Sequence, residues 1–194
     1  WKEHPDNHPA AISPVRGQGL LTFEGESVVR QHIDVVFPVL HGENGEDGAM
    51  QGLMQMAGIP YVGPHVAASA VSMDKTLTKL VVDHAGVPQA AWQLVRSTDL
   101  DNRMENTLDT LELRFRYPMF VKPAGTGSSV GVSKAADREA LKTALLNAGK
   151  FDKKILVEEF IHGREIEVAV MGNENPVASI CGEIDSGADF HDYD

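Results

Sequence analysis

The stretch that decides the fold of this chain reads FVKPAGTGSSVGV over residues 120–132. It consists of an apolar strand that ends near Lys122, a loop rich in glycine and serine, and the beginning of a second apolar strand. Glycines let a backbone approach a ligand closely, and exposed N–H groups can then point at anionic oxygens. The stretch therefore predicts a strand–loop–strand hairpin that holds phosphates, with Lys122 supplying a positive charge.

Two better-known phosphate loops do not fit this stretch. A Walker loop ends in glycine, lysine and then serine or threonine, but the Gly-Lys pair at 149–150 is followed by Phe151. The dinucleotide fingerprint G-x-G-x-x-G opens a helix, whereas Gly125, Gly127 and Gly131 have one more residue before the last glycine and precede a strand. An ordinary flexible hairpin remains the alternative to a phosphate clamp.

Charge and composition restrict the partners. The 194 residues carry 28 acidic and 17 basic side chains, a formal net charge of −11, which disfavours a nucleic-acid partner because phosphate backbones require a basic surface. Cys181 is the single cysteine, so no internal disulfide is possible, and no apolar run is long enough to span a membrane. We therefore expect a cytoplasmic protein of small-molecule chemistry.

The rest of the chain predicts an α/β fold. Residues 1–25 have weak periodicity and are predicted as a connecting region, whereas 34–40 is predicted as a buried strand. Gly58, Gly86 and Gly149 are typical helix stops. They end the predicted helices over 49–57, from 72 or 74 to 85, and over 136–148. A further helix is predicted over 104–115. The further predicted strands are 59–62, 119–122, 130–133, 155–160, 165–170 and 177–184.

Three more segments have the residue types of a binding site. HGENGEDG over residues 41–48 follows a predicted strand, where ligands collect in open α/β sheets, although a solvated turn would read the same way. Lys75 lies in the first turn of a helix, where an anionic ligand would relieve its conflict with the helix dipole, although the residue taken alone favours a surface lysine. Residues 155–165 form a strand and connector with flanking acids, which suits a nucleoside but also an edge strand.

Taken together, these segments resemble the ATP-grasp ligases, and most closely the D-alanine:D-alanine ligase family. The resemblance runs from about Asp34 to Asp194 and rests on ordered motifs: HGENGEDG at 41–48 with QG at 51–52, GIPYVG at 58–63, SMDK at 72–75, VKP at 121–123 with GSSVG at 127–131, and residues 158–165. It implies three parts. These are the end of an N-terminal α/β (preATP-grasp) domain over 1–74, an ATP-grasp central domain over 75–165, and the start of a C-terminal α+β domain over 166–194.

The resemblance also implies roles for individual residues. Lys75 and Lys122 would contact the phosphates of ATP, and the loop with Gly125, Gly127, Ser128 and Ser129 would cover them. The backbone of Glu159 and Ile161 would meet the adenine, with Glu158 near its amino group and Glu165 on the ribose. Glu46, Ser128 and His41 would line the D-alanine site.

The activity implied is the ATP-dependent ligation of two D-alanines through an acyl phosphate, for peptidoglycan precursors, with Mg²⁺ (or Mn²⁺) and a homodimer as the state of the enzyme. Residues 190–194 resemble the start of a loop that closes over the substrates. The metal ligands are expected after Asp194, so no metal ligand is assigned here and the chain alone is expected to be an inactive fragment lacking both ends. The alternatives are a D-alanine:D-lactate or D-alanine:D-serine ligase and a catalytically silent nucleotide-binding fragment.

Overall fold

The structure, a computed structural model, describes residue 4 and residues 7–184. The chain divides into two compact units. Unit 1 comprises residues 1–89 and 124–127, and unit 2 comprises residues 90–123 and 128–194. In the part of the chain that the structure describes, no helix is both long and apolar enough to cross a membrane.

Unit 1 begins with a three-stranded antiparallel sheet of β1 (Ala10–Ile12), β2 (Leu20–Glu24) and β3 (Ser27–Gln31). The predicted connecting region over 1–25 is therefore wrong from Ala10 onward. Its strands are short and largely exposed, with Val28 57% exposed, so they lack the buried alternation by which a strand is recognised in sequence.

Three helices complete unit 1: α1 (Ala49–Ala57), α2 (Val66–Met73) and α3 (Lys75–His84). The prediction for α1 is confirmed at both ends, and Gly58 terminates it with a left-handed φ of 69°. The helix predicted to begin at 72 or 74 is α3, whose N-cap Asp74 accepts hydrogen bonds from the N–H groups of Thr76 and Leu77. Helix α2 was not predicted.

The predicted buried strand over 34–40 is wrong. Within the described residues it forms a single parallel bridge, between Val36 and Tyr61, and Phe37 and Val39 are 72% and 71% exposed. A strand needs a neighbour for its backbone groups along its whole length, and here only Val36 is paired, through Pro60 and Val62. The predicted strand at 59–62 reduces to the same bridge for the same reason.

Unit 2 is built on a four-stranded antiparallel sheet in the order β4 (Trp92–Arg96), β7 (Lys154–Glu159), β5 (Met119–Pro123) and β6 (Ser133–Ala135). Helices α4 (Ser97–Arg114) and α5 (Arg138–Ala148) pack with it around one core. Strand β4 was not predicted, and β6 begins three residues later than predicted because residues 128–131 form a turn. Helix α4 begins seven residues before the predicted start, with non-helical dihedral angles at Arg103 in between.

The core of unit 2 lies on one face of this sheet. Met119, Val121 and Ile155 are fully buried there against the helices. The last described strands are two short antiparallel pairs, β8 (Glu165–Glu167) with β11 (Gly182–Ile184) and β9 (Val170–Met171) with β10 (Val177–Ala178). Each of the longer strands predicted over 165–170 and 177–184 is therefore divided into two short strands in the structure. The predicted closing loop at 190–194 lies outside the described residues.

Candidate functional site

The sheet of unit 2 presents Lys122 and Glu158 on the face opposite its helices. Strand side chains alternate between faces, so burial of Met119 and Val121 against the helices turns Phe120 and Lys122 the other way. Glu158 stands directly across from Phe120 in the register of β5 and β7 and is thus on this second face. Two residues that the sequence assigned separately to phosphate and adenine therefore share one surface.

These two side chains form an ion pair. The Lys122 Nζ lies 2.6 Å from the Glu158 Oε2, and the side chains are 29% and 8% exposed. A carboxylate that is so nearly buried needs a partner, because an unpaired charge is costly in a medium of low dielectric constant. The pair places a donor and an acceptor side by side on this face.

Aromatic rings adjoin this pair. The ring centroids of Phe120 and Phe160 are 5.9 Å apart, and the Lys134 Nζ lies 4.4 Å from the centroid of Phe160. His162 follows at 6.2 Å from Phe160, and Ile161 between them is 61% exposed. The connector after β7 thus combines aromatic rings with an exposed apolar residue, which suits a planar base. Phe160 was not predicted as a site residue, although it is the aromatic residue directly after β7.

Glu159 and Glu165 occupy different settings in unit 2. The Glu159 N–H donates to the carbonyl of Ala91 at 3.0 Å, and its Oε1 accepts from the Ala91 N–H at 2.7 Å. Both groups of Glu159 therefore bind the segment before β4. Glu165 opens β8, where it pairs with Ile184 and is exposed, so its carboxylate is accessible to a hydroxyl-bearing ligand.

The loop after β5 has a strained backbone in its second half. Ser128 and Ser129 have φ values of 47° and 59°, in a left-handed region that costs side-chain-bearing residues about 1–3 kcal/mol each. Gly131 has a φ of 73°, and a Cβ there would lie 2.7 Å from the ring of Phe151. The predicted hairpin of β5 and β6 is confirmed, and its turn holds Ser128 in a defined, uncommon conformation.

The first half of the same loop contacts Lys75 within unit 1. The Lys75 N–H donates to the carbonyl of Ala124 at 2.9 Å, and its ammonium donates to the carbonyl of Thr126 and, at 3.5 Å, to that of Ala124. Gly125 and Gly127 flank Thr126 in this segment. These carbonyl oxygens therefore offset part of the unfavourable interaction between the Lys75 charge and the helix dipole. The structure thus joins two motifs about 50 residues apart, as a common phosphate site requires.

The HGENGEDG loop of unit 1 is held by its own acids. The Glu46 Oε2 accepts the Gly42 N–H at 2.6 Å, and the Asp47 carboxylate accepts from the N–H groups of Ala49 and Asn44, both at 2.9 Å. The Ala49 bond, followed by the Asn44 bond, lowers the pKa of Asp47 below its ordinary value. His41 is exposed at the start of the loop. Glu46 and His41 belong to unit 1, whereas Ser128 belongs to unit 2.

A cavity of about 400 Å³ adjoins this loop within unit 1. Its polar lining comes from Glu46, Gln51, Ser69 and Ser72, and its apolar lining includes Phe37, Leu40, Val62 and Met73. Gln51 belongs to the QG motif at 51–52 but was not predicted as a site residue. Its burial could have been expected from its position in α1, three residues before the buried Met54.

Comparison with known proteins agrees with this architecture. Solved structures that resemble the chain include VanG D-Ala:D-Ser ligase from Enterococcus faecalis, with a TM-score of 0.85 and 34% identity, covering all of this chain and 55% of that one. The D-alanine-D-alanine ligase from Coxiella burnetii has a TM-score of 0.78 and 36% identity over 91% of this chain and 50% of its own. The fold is that of the ATP-grasp ligases, present in partial domains.

Sequence relatives narrow that class to one family. The family models described as D-ala D-ala ligase N-terminus and C-terminus match residues 3–64 and 81–194. A D-alanine–D-alanine ligase of Acetivibrio thermocellus is 54% identical over 168 residues, 87% of this chain and 45% of the relative. One of Geobacillus thermodenitrificans is 46% identical over 96% of this chain and 50% of its own length. The chain belongs to the D-alanine–D-alanine ligase family, and it spans about half the length of the curated relatives it matches.

Proposed function

We propose that the protein containing this chain joins two D-alanines in an ATP-dependent reaction that passes through an acyl phosphate and supplies peptidoglycan precursors. The observation that carries the proposal is the ion pair of Lys122 with the nearly buried Glu158, on the face of the sheet opposite its helices and next to a loop with strained serines. The family membership of the chain supports the choice of substrate.

Unit 2 would hold most of the nucleotide. Glu158, which accepts hydrogen bonds, would receive the adenine amino group, while Lys122 would neutralise phosphate charge. The backbone of Glu159 and Ile161 would contact the base, and Phe160 would provide a flat apolar surface. Glu165, exposed at the start of β8, would accept from ribose hydroxyls.

The loop over 124–131 would cover the phosphates. Lys75, whose ammonium already donates to the Thr126 carbonyl, would bind phosphate oxygens together with the backbone at Gly125, Gly127 and Ser129. Phosphoryl transfer is mainly a matter of positioning and charge neutralisation, so lysines and backbone N–H groups meet its main requirements.

Glu46, His41 and Ser128 would organise the D-alanine site. The Glu46 carboxylate, fixed by the Gly42 N–H, could receive an ammonium group, and the Ser128 hydroxyl is held by its left-handed backbone. Exclusion of water by the glycine–serine loop over 124–131 would protect the acyl phosphate from hydrolysis until the second amine attacks.

Mg²⁺ or Mn²⁺, when bound, would supply positive charge that offsets the charge of the phosphates during transfer. Among the described residues no cluster of three or more acidic, histidine or cysteine side chains could hold such an ion, so no ligand is assigned to this chain. We further propose a homodimer in the cytoplasm, on family resemblance alone.

A D-alanine:D-serine ligase is the second candidate, because the VanG D-Ala:D-Ser ligase structure matches the whole chain with a TM-score of 0.85. The curated relatives at 46% to 55% identity, all named D-alanine–D-alanine ligases, favour the first candidate. The two candidate functions therefore differ only in the second substrate, which is D-alanine in the first and D-serine in the second.

The test is phosphate release from MgATP by the purified gene product that contains this chain, with D-alanine alone or with D-alanine plus excess D-serine or D-lactate, and with identification of the product. Release that depends on D-alanine and yields the D-alanine dimer supports the proposal. Product containing D-serine or D-lactate would favour the alternatives, and absence of D-alanine-dependent release would contradict the ligase function.

A variant tests the substrate half of the site. Ser128→Ala should raise the KM for D-alanine more than the KM for ATP, because the hydroxyl is assigned to the amino-acid substrate. Ser133→Ala, in β6 of the same hairpin, is the matched control. An unchanged dependence on D-alanine in the Ser128 variant would remove Ser128 from the D-alanine site.

A further inference from the structure

Gln51 carries a buried side-chain amide in which the nitrogen is hydrogen-bonded and the oxygen has no partner among the described residues. Its side chain is 94% buried, with 6% of its surface exposed, and its Nε2 donates to the carbonyl of Gly45 at 3.1 Å. Its Oε1 is buried and accepts no hydrogen bond from any described residue. An apolar side chain of similar length would fill this space without leaving an acceptor unpaired, so packing alone does not explain the amide.

Gly45, which receives this hydrogen bond, is confined from its other side. A Cβ at Gly45 would lie 2.7 Å from the Cβ of Leu40, so no other residue fits without displacing that segment. The N–H groups of Gly45 and Glu46 both donate to the carbonyl of Gly42, at 3.2 Å and 3.0 Å. The close packing of Gly45 against Leu40 and its hydrogen bond to Gly42 therefore fix the position of the backbone that leads into Glu46.

Glu46 completes a closed set of contacts in the same loop. Its carboxylate accepts the Gly42 N–H at 2.6 Å, so backbone and side chain of Glu46 both hold Gly42. Glu46, Gly45 and Gln51 also line the same cavity of about 400 Å³. The Gln51 amide thus ties the carbonyl of Gly45 to helix α1, while the Asp47 carboxylate joins the neighbouring Asn44 to Ala49 at the start of the same helix.

We propose that Gln51 is a positioning residue for the amino-acid substrate. It holds the carbonyl of Gly45 and through it sets the Glu46 carboxylate at the cavity. This role rests on the proposed ligase function, in which Glu46 lines the D-alanine site. Gln51 itself is not required to touch the substrate.

The first test replaces Gln51 in the gene product that contains this chain. Gln51→Met keeps the length of the side chain and removes both the donor and the unpaired acceptor. We expect the KM for D-alanine to rise about tenfold, with kcat and the KM for ATP within about twofold of the parent and little change in the melting temperature. Gln55→Met, four residues further along α1 at an exposed position, is the matched control and should change none of these values.

A second variant distinguishes positioning from packing. Gln51→Glu keeps the shape of the side chain but places an oxygen against the carbonyl of Gly45, so it should raise the KM for D-alanine at least as much as Gln51→Met does. Unfolding of both variants, or an equal loss for both substrates, would assign Gln51 to stability and overturn the proposal.

A third measurement needs no turnover. Amide hydrogen exchange at Gly42 and Glu46, whose N–H groups are bonded within the loop, should accelerate about tenfold in Gln51→Met and remain unchanged in Gln55→Met. Unchanged exchange together with an unchanged KM overturns the proposal. If the parent has no D-alanine-dependent activity, the ligase function fails, and the substrate role of Gln51 fails with it. Faster exchange would then show only that Gln51 orders the loop.

Discussion

The two units hold their candidate site residues by different means. In unit 2, Lys122 and Glu158 extend from central strands whose opposite face packs against α4 and α5. In unit 1, Glu46 and His41 lie in a loop held by hydrogen bonds, and the buried cluster nearby is small, with Met54, Ala57 and Ile59 at its centre. The nucleotide residues therefore inherit their geometry from a core, whereas the acidic loop depends on a few polar contacts.

Truncating one core side chain in each unit tests this difference and should have the largest effect. Leu145→Ala in unit 2 should lower the free energy of unfolding by about 3–4 kcal/mol, because the fully buried side chain leaves a cavity among well-packed neighbours. Met54→Ala in unit 1 should cost about 2 kcal/mol, since the half-buried residues around it can relax. Urea unfolding followed by circular dichroism measures both, and equal losses would contradict the comparison.

Removing the lysine of the buried pair should have an intermediate effect. Lys122→Met removes one partner of the nearly buried Glu158 carboxylate, which should cost about 2 kcal/mol because Lys122 itself is partly exposed. Nucleotide affinity, measured by calorimetric titration with ATP, should fall at least about tenfold through the lost charge. Lys150→Met, at an exposed lysine of the same unit, is the control. Unchanged affinity in the Lys122 variant would end its phosphate role.

The smallest effect concerns the two kinds of acidic residue. Backbone N–H groups lower the pKa of Asp47 in unit 1, whereas a hydrogen bond from Arg138 lowers the pKa of Glu105 in unit 2. Both stabilise the fold above their ordinary pKa values of 3.8 and 4.5, and this stabilisation is lost as the pH falls through the lower, folded-state values.

Salt separates these two residues. At about 1 M salt the exposed pair of Glu105 and Arg138 is screened, so the pKa of Glu105 should return toward its ordinary value while that of Asp47 changes less. Carboxyl carbon NMR titrations at low and high salt measure both groups. The same salt response in the two residues would mean that the loop of unit 1 is held by charge rather than by backbone hydrogen bonds.

Local signals in the sequence were sufficient for several elements. Helix α1 ends at Gly58 as predicted, because glycine adopts the left-handed conformation of a helix stop without strain. The hairpin of β5 and β6 was predicted from its apolar strands and the glycine–serine loop, and the family motifs indicated the ATP-grasp fold. The helix stop and the hairpin depend on residues that are close together in sequence, and each family motif is itself a short segment.

Elements that depend on distant partners were predicted less well. The apolar run at 34–40 has the composition of a buried strand, but burial requires neighbours that pair with it, and only Val36 has such a pairing. Strands β1 to β3 were missed because their side chains are largely exposed and show no clear alternation. Strand β4, at the edge of the main sheet, was missed although Trp92 and Val95 have strand-forming side chains.

The sequence by itself determined which residue types are present and in what order: two motif lysines, a glycine–serine loop, an acidic loop and a strand ending in glutamates. These features were enough to indicate a family, because the order and spacing of motifs can be compared without knowing how the chain folds. Only the tertiary structure decided that Lys122 pairs with Glu158, that Lys75 donates to the Thr126 carbonyl, and that Gln51 binds Gly45. The first contact depends on strand register, and the other two depend on the direction of a helix side chain toward a loop carbonyl. Register and side-chain direction are set by packing within the unit.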